Sequence, residues 1–440
     1  MTDRRVVITG LGITSALGTG REEYYQALLS GKIGIARIQA FDPSGFPSQV
    51  AGETAPFSMG KMVPKFYRKA AKLMSPDIEL AVVAADAAIR DAQLQTKGTC
   101  PENESPQIDP TRCGVNIGAG LICCDLVELG SAVENALENG TFSLTKWGLQ
   151  GMQSLTPLWL LKYLPNMLGC HVSIIHDLQG PSNTITCGEA SGQLAIGEAV
   201  RTIQRGKADV MIAGGAENKV NPMSLLRQCL MHRTSTHYND TPQEASRPFD
   251  SAADGLVVGQ GAGIVVLEER QHALRRGARI YAEVTGFAAS CFHSHNFLDP
   301  EPDGRGMAIA MQKAIQTAGL SPEQIDLLIP HGLAVPASDR AEARAIQQAF
   351  GPHTSHLPVF PTKCRIGDCG AGAGAMDLVT VALLLHENKI PPARNCPNPP
   401  AEYGLNIRNQ DIVETPLNHA MTNCYTYGGQ AAALVVSKYS

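Results

Sequence analysis

Short apolar runs rich in β-branched residues recur along the chain, and most of them end in glycine before a helical stretch begins. The candidates are Val6-Val7-Ile8, Gly114-Val115-Asn116-Ile117, Val210-Met211-Ile212-Ala213, Gly263 to Leu267, Leu327-Leu328-Ile329 and Ala432 to Val436. Apolar runs of this kind suit strands covered on both faces, and such strands need helices on each side of their sheet. Helices are predicted over 189–205, 307–318, 339–350 and 373–387. The last has Met376, Val379, Val381, Leu383 and Leu384 at helical spacing, so it packs against something. The expectation is an α/β chain with buried sheets.

The two halves of the 440 residues echo each other. Val6-Val7-Ile8-Thr9-Gly10 resembles Ala282-Glu283-Val284-Thr285-Gly286, and Cys113 to Leu121 corresponds to Ile325 to Leu333. The helix entered at Ser191-Gly192 is mirrored by one entered at Ala373-Gly374. Offsets of roughly 180 to 275 residues indicate a duplicated α/β unit with unequal insertions, not a solenoid of short repeats. The division is expected within 255–275, giving halves of 1–265 and 266–440. The segment 96–112 reads as a polar loop, and the proline-rich 388–410 as an extended crossing segment.

Only 18% of residues are charged, against about 25% in an average soluble domain. That deficit implies much surface buried between layers or between subunits. Lys and Arg number 36 and Asp and Glu 41, a net charge of −5, which gives no electrostatic case for nucleic acid or an anionic membrane. No apolar run approaches the roughly 20 residues of a membrane span, and the first strand follows Met1 without a signal-type apolar segment. The 12 cysteines are scattered, with no pair at zinc-ligand spacing. These features predict a cytoplasmic protein with reduced thiols and no metal or cofactor. His293-Ser294-His295 with Cys291 reads as loop histidines, and Gly118-Ala119-Gly120 lacks the Lys-Ser/Thr ending of a phosphate loop.

Several segments taken together are similar to the β-ketoacyl synthase family of the thiolase superfamily, nearly end to end. They are Val7-Ile8-Thr9-Gly10-Leu11-Gly12, Gly180-Pro181-Ser182, Ala190-Ser191-Gly192, Ala213-Gly214-Gly215-Ala216-Glu217, Ser246-Arg247-Pro248-Phe249-Asp250, Asp254-Gly255 through Gly263, His331-Gly332, Pro361-Thr362-Lys363 and Gly428-Gly429. The resemblance implies a five-layer αβαβα fold built from two similar halves, and a dimer. It also implies an acyl carrier protein as partner, docked by basic patches such as Arg201, Arg205 and Lys207, or Lys65, Arg68, Lys69 and Lys72.

The departures from the family pattern fall at the centre. In condensing members a Cys two residues before the Ser-Gly pair takes the acyl chain as a thioester, activated by the helix N-terminus. Here that position is Glu189, and Cys187 lies two residues too early. His331 matches the first of the two histidines that stabilise the enolate, whereas Asp368 stands for the second. Lys363 is retained, so the expected catalytic set is Glu189, His331, Asp368 and Lys363. Lys363 and His331 are the expected counter-charges to the two carboxylates. Tyr427, with Gly428 and Gly429, is expected at the acyl gate, and Leu121, Ile122, Cys123 and Cys124 along an acyl tunnel. Gln260 stands where an acidic residue is usual.

A carboxylate cannot hold an acyl chain by transthiolation. The stretch Gly332 to Ala343 is similar to the chain-length-factor branch of the family, and that resemblance implies a chain-length-factor-like homologue, pairing with an active ketosynthase in polyketide-type or fatty-acid-type acyl chain synthesis. One alternative is a malonyl carrier-protein decarboxylase, with Glu189 as general base if burial raises its pKa and His331 polarising the thioester. The other is a condensing β-ketoacyl synthase using Cys187 or an unusual mechanism. The partner subunit is a ketosynthase in the first reading and a second copy of the chain in the others.

Overall fold

The structure is a computed structural model that describes residues 4–101, 104–292, 300–409 and 411–439. In the N-terminal half, β1 (Val6–Ser15), α1 (Pro76–Asp91), β2 (Cys113–Ala119), α2 (Met167–His176), β3 (Ser182–Ile185), α3 (Ser191–Gln204), β4 (Val210–Asn218), α4 (Pro222–Leu230) and β5 (Val258–Glu269) follow in order. The C-terminal half repeats the theme with β6 (Ala282–Cys291), α5 (Arg305–Ala318), β7 (Leu327–Ile329), α6 (Pro336–Phe350), β8 (Pro358–Val359), α7 (Ala373–Glu387), β9 (His419–Tyr425) and β10 (Gln430–Ser437). Most predicted strands run longer than their apolar cores, because pairing continues past the β-branched residues into the glycines.

The main sheet path runs β8-β7-β9-β10-β6-β1-β5-β4-β2-β3, with the short strand Asn406–Ile407 beyond β8. The halves join where β1 meets β6 antiparallel, Ile8 opposite Ala282. The duplication is visible in detail at this seam. Register shifts occur at Ile8/Gly10 on β1 and at Val284/Gly286 on β6, the same step of the repeated motif. A Cβ on Gly10 would lie 2.2 Å from the Ala88 carbonyl oxygen of α1, and one on Gly286 would lie 2.2 Å from that of Ala314 in α5. Glycine at both places lets an outer helix lie directly on the bulge.

Helices α3 and α7 form the layer between the sheets. α7 is buried on every side from Ala373 to Leu385, as a helix sandwiched between two sheets must be. It shares one buried cluster with Ile196, Ala199 and Ile203 of α3 and with strand residues of both halves. Separate clusters pack α1 and α2 outside the first sheet, and α5 and α6 outside the second. Five αβαβα layers result, as expected. The two central helices cross closely, since a Cβ on Gly192 would meet the Ala371 carbonyl at 2.6 Å and one on Gly374 the Gln193 side chain at 2.8 Å. The proline-rich 388–410 is not extended throughout, since it carries a helical turn at Ala401–Tyr403 and strand pairings at each end. No helix among the described residues is long and apolar enough to cross a membrane. His293-Ser294-His295 lies outside the described residues, and no group that could hold a metal ion occurs among those described.

Candidate active site

Glu189 lies in the tight elbow that leads into α3. The elbow is closed by short hydrogen bonds: the Cys187 N–H donates to Ser191 Oγ at 2.7 Å, and Ser191 Oγ donates to the Gly188 carbonyl at 2.6 Å. Gly188 has φ +53°, and a Cβ there would lie 2.8 Å from Thr426 Oγ1, so the turn needs glycine on both counts. The elbow buries Glu189 to 2% exposure while Cys187 stays half-buried. Burial first, and Cys291 second, raise the Cys187 pKa, the opposite of thiol activation.

The partners of Glu189 are residues that sequence reasoning missed. Lys219, one residue past β4, places Nζ 3.3 Å from Glu189 Oε1 and 2.9 Å from Asp368 Oδ2. Arg233 comes within 4.0 Å of Glu189 Oε1 and stacks its guanidinium 4.8 Å from the centroid of the Tyr427 ring. Burial works against charge on Glu189, Asp368 and Lys219, yet pairing wins. Glu189 is pushed up by burial and by Asp368, but Lys219 and Arg233 hold it below the usual glutamate value. Asp368 is likewise pushed up by burial and pulled below its usual value by Lys219 and Lys363. The Lys219 ammonium, opposed by burial, is raised by Asp368, Glu189 and Glu217. Glu217 is different: burial dominates and raises its pKa, against Lys219 and the Ala371 N–H that its Oε2 accepts at 2.7 Å.

These directions correct two expectations. Glu189 is not a base with a raised pKa, because two cations sit beside it. Lys363 is not the counter-charge of the carboxylates either: its Nζ pairs with Asp377 Oδ2 of α7 at 3.1 Å, both groups fully buried. Lys219 takes the counter-charge role. Lys363 still acts at longer range, since it lowers the pKa of both His331 and Asp368.

His331 follows β7 in a loop fastened by carboxylates of α6. Glu342 accepts the His331 and Gly332 N–H groups at 2.7 and 2.8 Å. Asp339 accepts those of Leu333 and Ala334 at 3.0 and 3.1 Å, and that of Phe249 at 2.7 Å. The ring is fully buried, packs edge-on to Tyr425 at 4.7 Å, and meets Cys424 Sγ at 3.2 Å through Nδ1. Its Nε2 has no partner among the described residues. Burial first, and Lys363 second, push its pKa well below the usual imidazole value, so the ring is neutral.

Tyr427 borders, with Glu189, Glu217 and Lys219, a cavity of about 450 Å³. Gly428 and Gly429 form the turn between β9 and β10, where Gly429 has φ +91°. Ile122 is buried in the core of the first half. Cys123 borders a different, larger cavity of about 630 Å³ beside Asp77 and Asn218, and its Sγ lies 3.2 Å from Ser224 Oγ. Leu121, not Ile122 or Cys123, faces the Glu189 cavity from that strand end. Gln260 donates to Thr54 Oγ1 at 2.8 Å.

Residues 3–273 match the family "Beta-ketoacyl synthase, N-terminal domain", and residues 281–397 match "Beta-ketoacyl synthase, C-terminal domain". The chain belongs to the β-ketoacyl synthase family. It is 35% identical over 438 residues to a protein of Coxiella burnetii named 3-oxoacyl-[acyl-carrier-protein] synthase 2, covering 100% of this chain and 99% of that one. A mitochondrial 3-oxoacyl-[acyl-carrier-protein] synthase of Arabidopsis thaliana is also 35% identical, over 98% of this chain and 93% of its own. Among solved structures, a β-ketoacyl synthase from Burkholderia phymatum superimposes with a TM-score of 0.85 at 29% identity, over 99% of this chain and 100% of that one. The ishigamide ketosynthase/chain length factor does so at 0.83 and 27%, over 100% of both chains. The end-to-end relatives at 35% identity carry the name of the synthase, and they overturn the expectation of a chain-length-factor-like partner subunit.

Proposed function

We propose that the chain is a 3-oxoacyl synthase acting on thioesters of an acyl carrier protein. The observation that carries the proposal is the full-length 35% identity to relatives of that name, with no half of the fold missing. A ketosynthase solved in complex with its acyl carrier protein, 25% identical and superimposing at a TM-score of 0.84, supports the choice of partner. Exposed Leu121, Leu126, Val127, Leu144 and Leu149, clustered in one stretch of chain, support a homodimer.

The residues present suit the carbon–carbon half of the reaction. A malonyl thioester loses CO2, the electron pair of the broken bond moves onto the thioester as an enolate, and its carbon attacks a second acyl thioester, whose carrier thiol departs with a proton. A neutral His331 can answer the growing charge on the thioester oxygen. Cys424 carries one S–H with two acceptors in reach, the Glu189 carbonyl at 3.0 Å and His331 Nδ1 at 3.2 Å; when it turns to Nδ1, the imidazole proton resides on the unpartnered Nε2, which then donates to that oxygen. With Glu189 paired to Lys219, the acyl donor remains a carrier thioester until the carbanion reaches it.

A second reading is favoured by Glu189 itself. Where no thiol holds an acyl group, the enolate can take up a proton, and the product is an acetyl carrier protein. Mass analysis of the carrier after incubation with malonyl and hexanoyl carrier protein separates the two. A 3-oxooctanoyl carrier is expected from the proposal and an acetyl carrier from the second reading. An unchanged malonyl carrier refutes both.

A further inference from the structure

The cavity beside Glu189 has a mixed wall. Leu121, Pro165, Met231 and Tyr427 contribute apolar surface, and Gln228, Glu217, Lys219 and Arg227 share the lining. Lys219 is engaged by two carboxylates, and Arg233 nearby by Glu189 and Tyr427. Arg227 has no carboxylate partner among the described residues. One terminal nitrogen donates to Ser224 Oγ at 3.2 Å and lies 3.7 Å from Cys123 Sγ. Its Nε is buried without a partner. A guanidinium is always charged and offers a planar fork that fits a carboxylate. Placed in a cavity beside a thioester site without an anion of its own, it is equipped to receive one from the ligand.

We propose that this cavity accepts an acyl thioester whose acyl group ends in a carboxylate, held by Arg227. The inference rests on the reading of the site as one for pantetheine thioesters and adds the class of acyl donor. The carboxylate in question is one that the product keeps. An ion pair that stabilised the malonyl carboxylate would slow its loss as CO2, because it would favour the ground state over the transition state. Arg227 therefore selects the acyl donor, a dicarboxylic acyl group of succinyl length or longer, and not the malonyl extender.

Calorimetric titration of the full chain with succinyl-, butyryl- and hexanoyl-pantetheine tests this without turnover, because succinyl has no carboxylate whose loss the thioester would assist. Succinyl-pantetheine is expected to bind about tenfold more tightly than butyryl-pantetheine, the scale of one charge-assisted hydrogen bond. Arg227→Gln should remove that advantage and leave butyryl affinity unchanged, while Arg227→Lys keeps part of it. Equal binding of all three thioesters, a preference for hexanoyl, or an Arg227→Gln loss shared by all three would overturn the inference alone. Binding of none of them would remove the thioester reading together with it.

Discussion

Replacing Lys219 by methionine tests the charge balance at the centre of the molecule. The ammonium is buried between Glu189 Oε1 at 3.3 Å and Asp368 Oδ2 at 2.9 Å. Methionine keeps most of the volume and leaves the two buried carboxylates with Arg233, 4.0 Å from one of them, and the more distant Lys363. Removing one partner of a buried ion pair costs about 3–5 kcal/mol. For a chain of this length that is a fall of about 3–5 °C in the unfolding midpoint. The pH dependence is the sharper signature. In the native chain both carboxylates sit below their ordinary values of 4.5 and 3.8. Their contribution to stability is complete above those values and is lost only as pH falls through the lowered ones. Without Lys219 burial dominates and the carboxylates bind protons more readily folded than unfolded, so the variant gains relative stability as pH falls from 7.5 toward 5. Thermal unfolding of both proteins at pH 7.5 and 5.0 measures this. An unchanged midpoint at pH 7.5, or a deficit of the same size at both pH values, would refute the reasoning.

Other consequences can be checked directly. His331→Ala is expected to lower CO2 release from malonyl carrier protein by about 10²–10³-fold, the usual cost of losing one donor to a developing oxyanion, with the unfolding midpoint little changed. Because burial and Lys363 hold the imidazole pKa well down, the native rate should show no inflection near pH 6.5, and one there would contradict a neutral ring. Glu189→Cys places a thiol at the N-terminus of α3, beside Lys219, and should yield a thioester adduct visible by intact mass after exposure to an acyl carrier protein. Asp339→Ala leaves the Phe249, Leu333 and Ala334 N–H groups unpaired, each worth about 1–3 kcal/mol when buried. Its unfolding midpoint should drop and His331-dependent activity should disappear with it.

The fold was legible because its determinants are local. β-branched strands, the Gly10 and Gly286 bulges and the Gly192 and Gly374 crossings each leave a mark in the sequence, and the repeat shows them twice. Glu189 and Asp368 were legible by register within short motifs. Lys219 and Arg233 were not, because a charge network is assembled by tertiary approach across separate loops, and neither residue belongs to a recognisable motif. One signal was present: Lys219 directly follows the uniformly buried strand β4, where a charged side chain needs a partner. The misassignment of Lys363 had a similar remedy in Asp377, the one charged residue among the buried positions of α7. Of the candidates after β2, Leu121 borders the Glu189 cavity, whereas Ile122 is buried in the core of the first half.

The central claim is that an ionised carboxylate, paired with Lys219, fills the place ahead of α3 where an acyl group would be captured. Digestion and mass mapping of the segment 182–205 after incubation with malonyl and hexanoyl carrier protein examines that place directly. The expected result is an unmodified peptide while 3-oxoacyl or acetyl carrier accumulates in the same reaction. A hexanoyl thioester on Cys187 would contradict it.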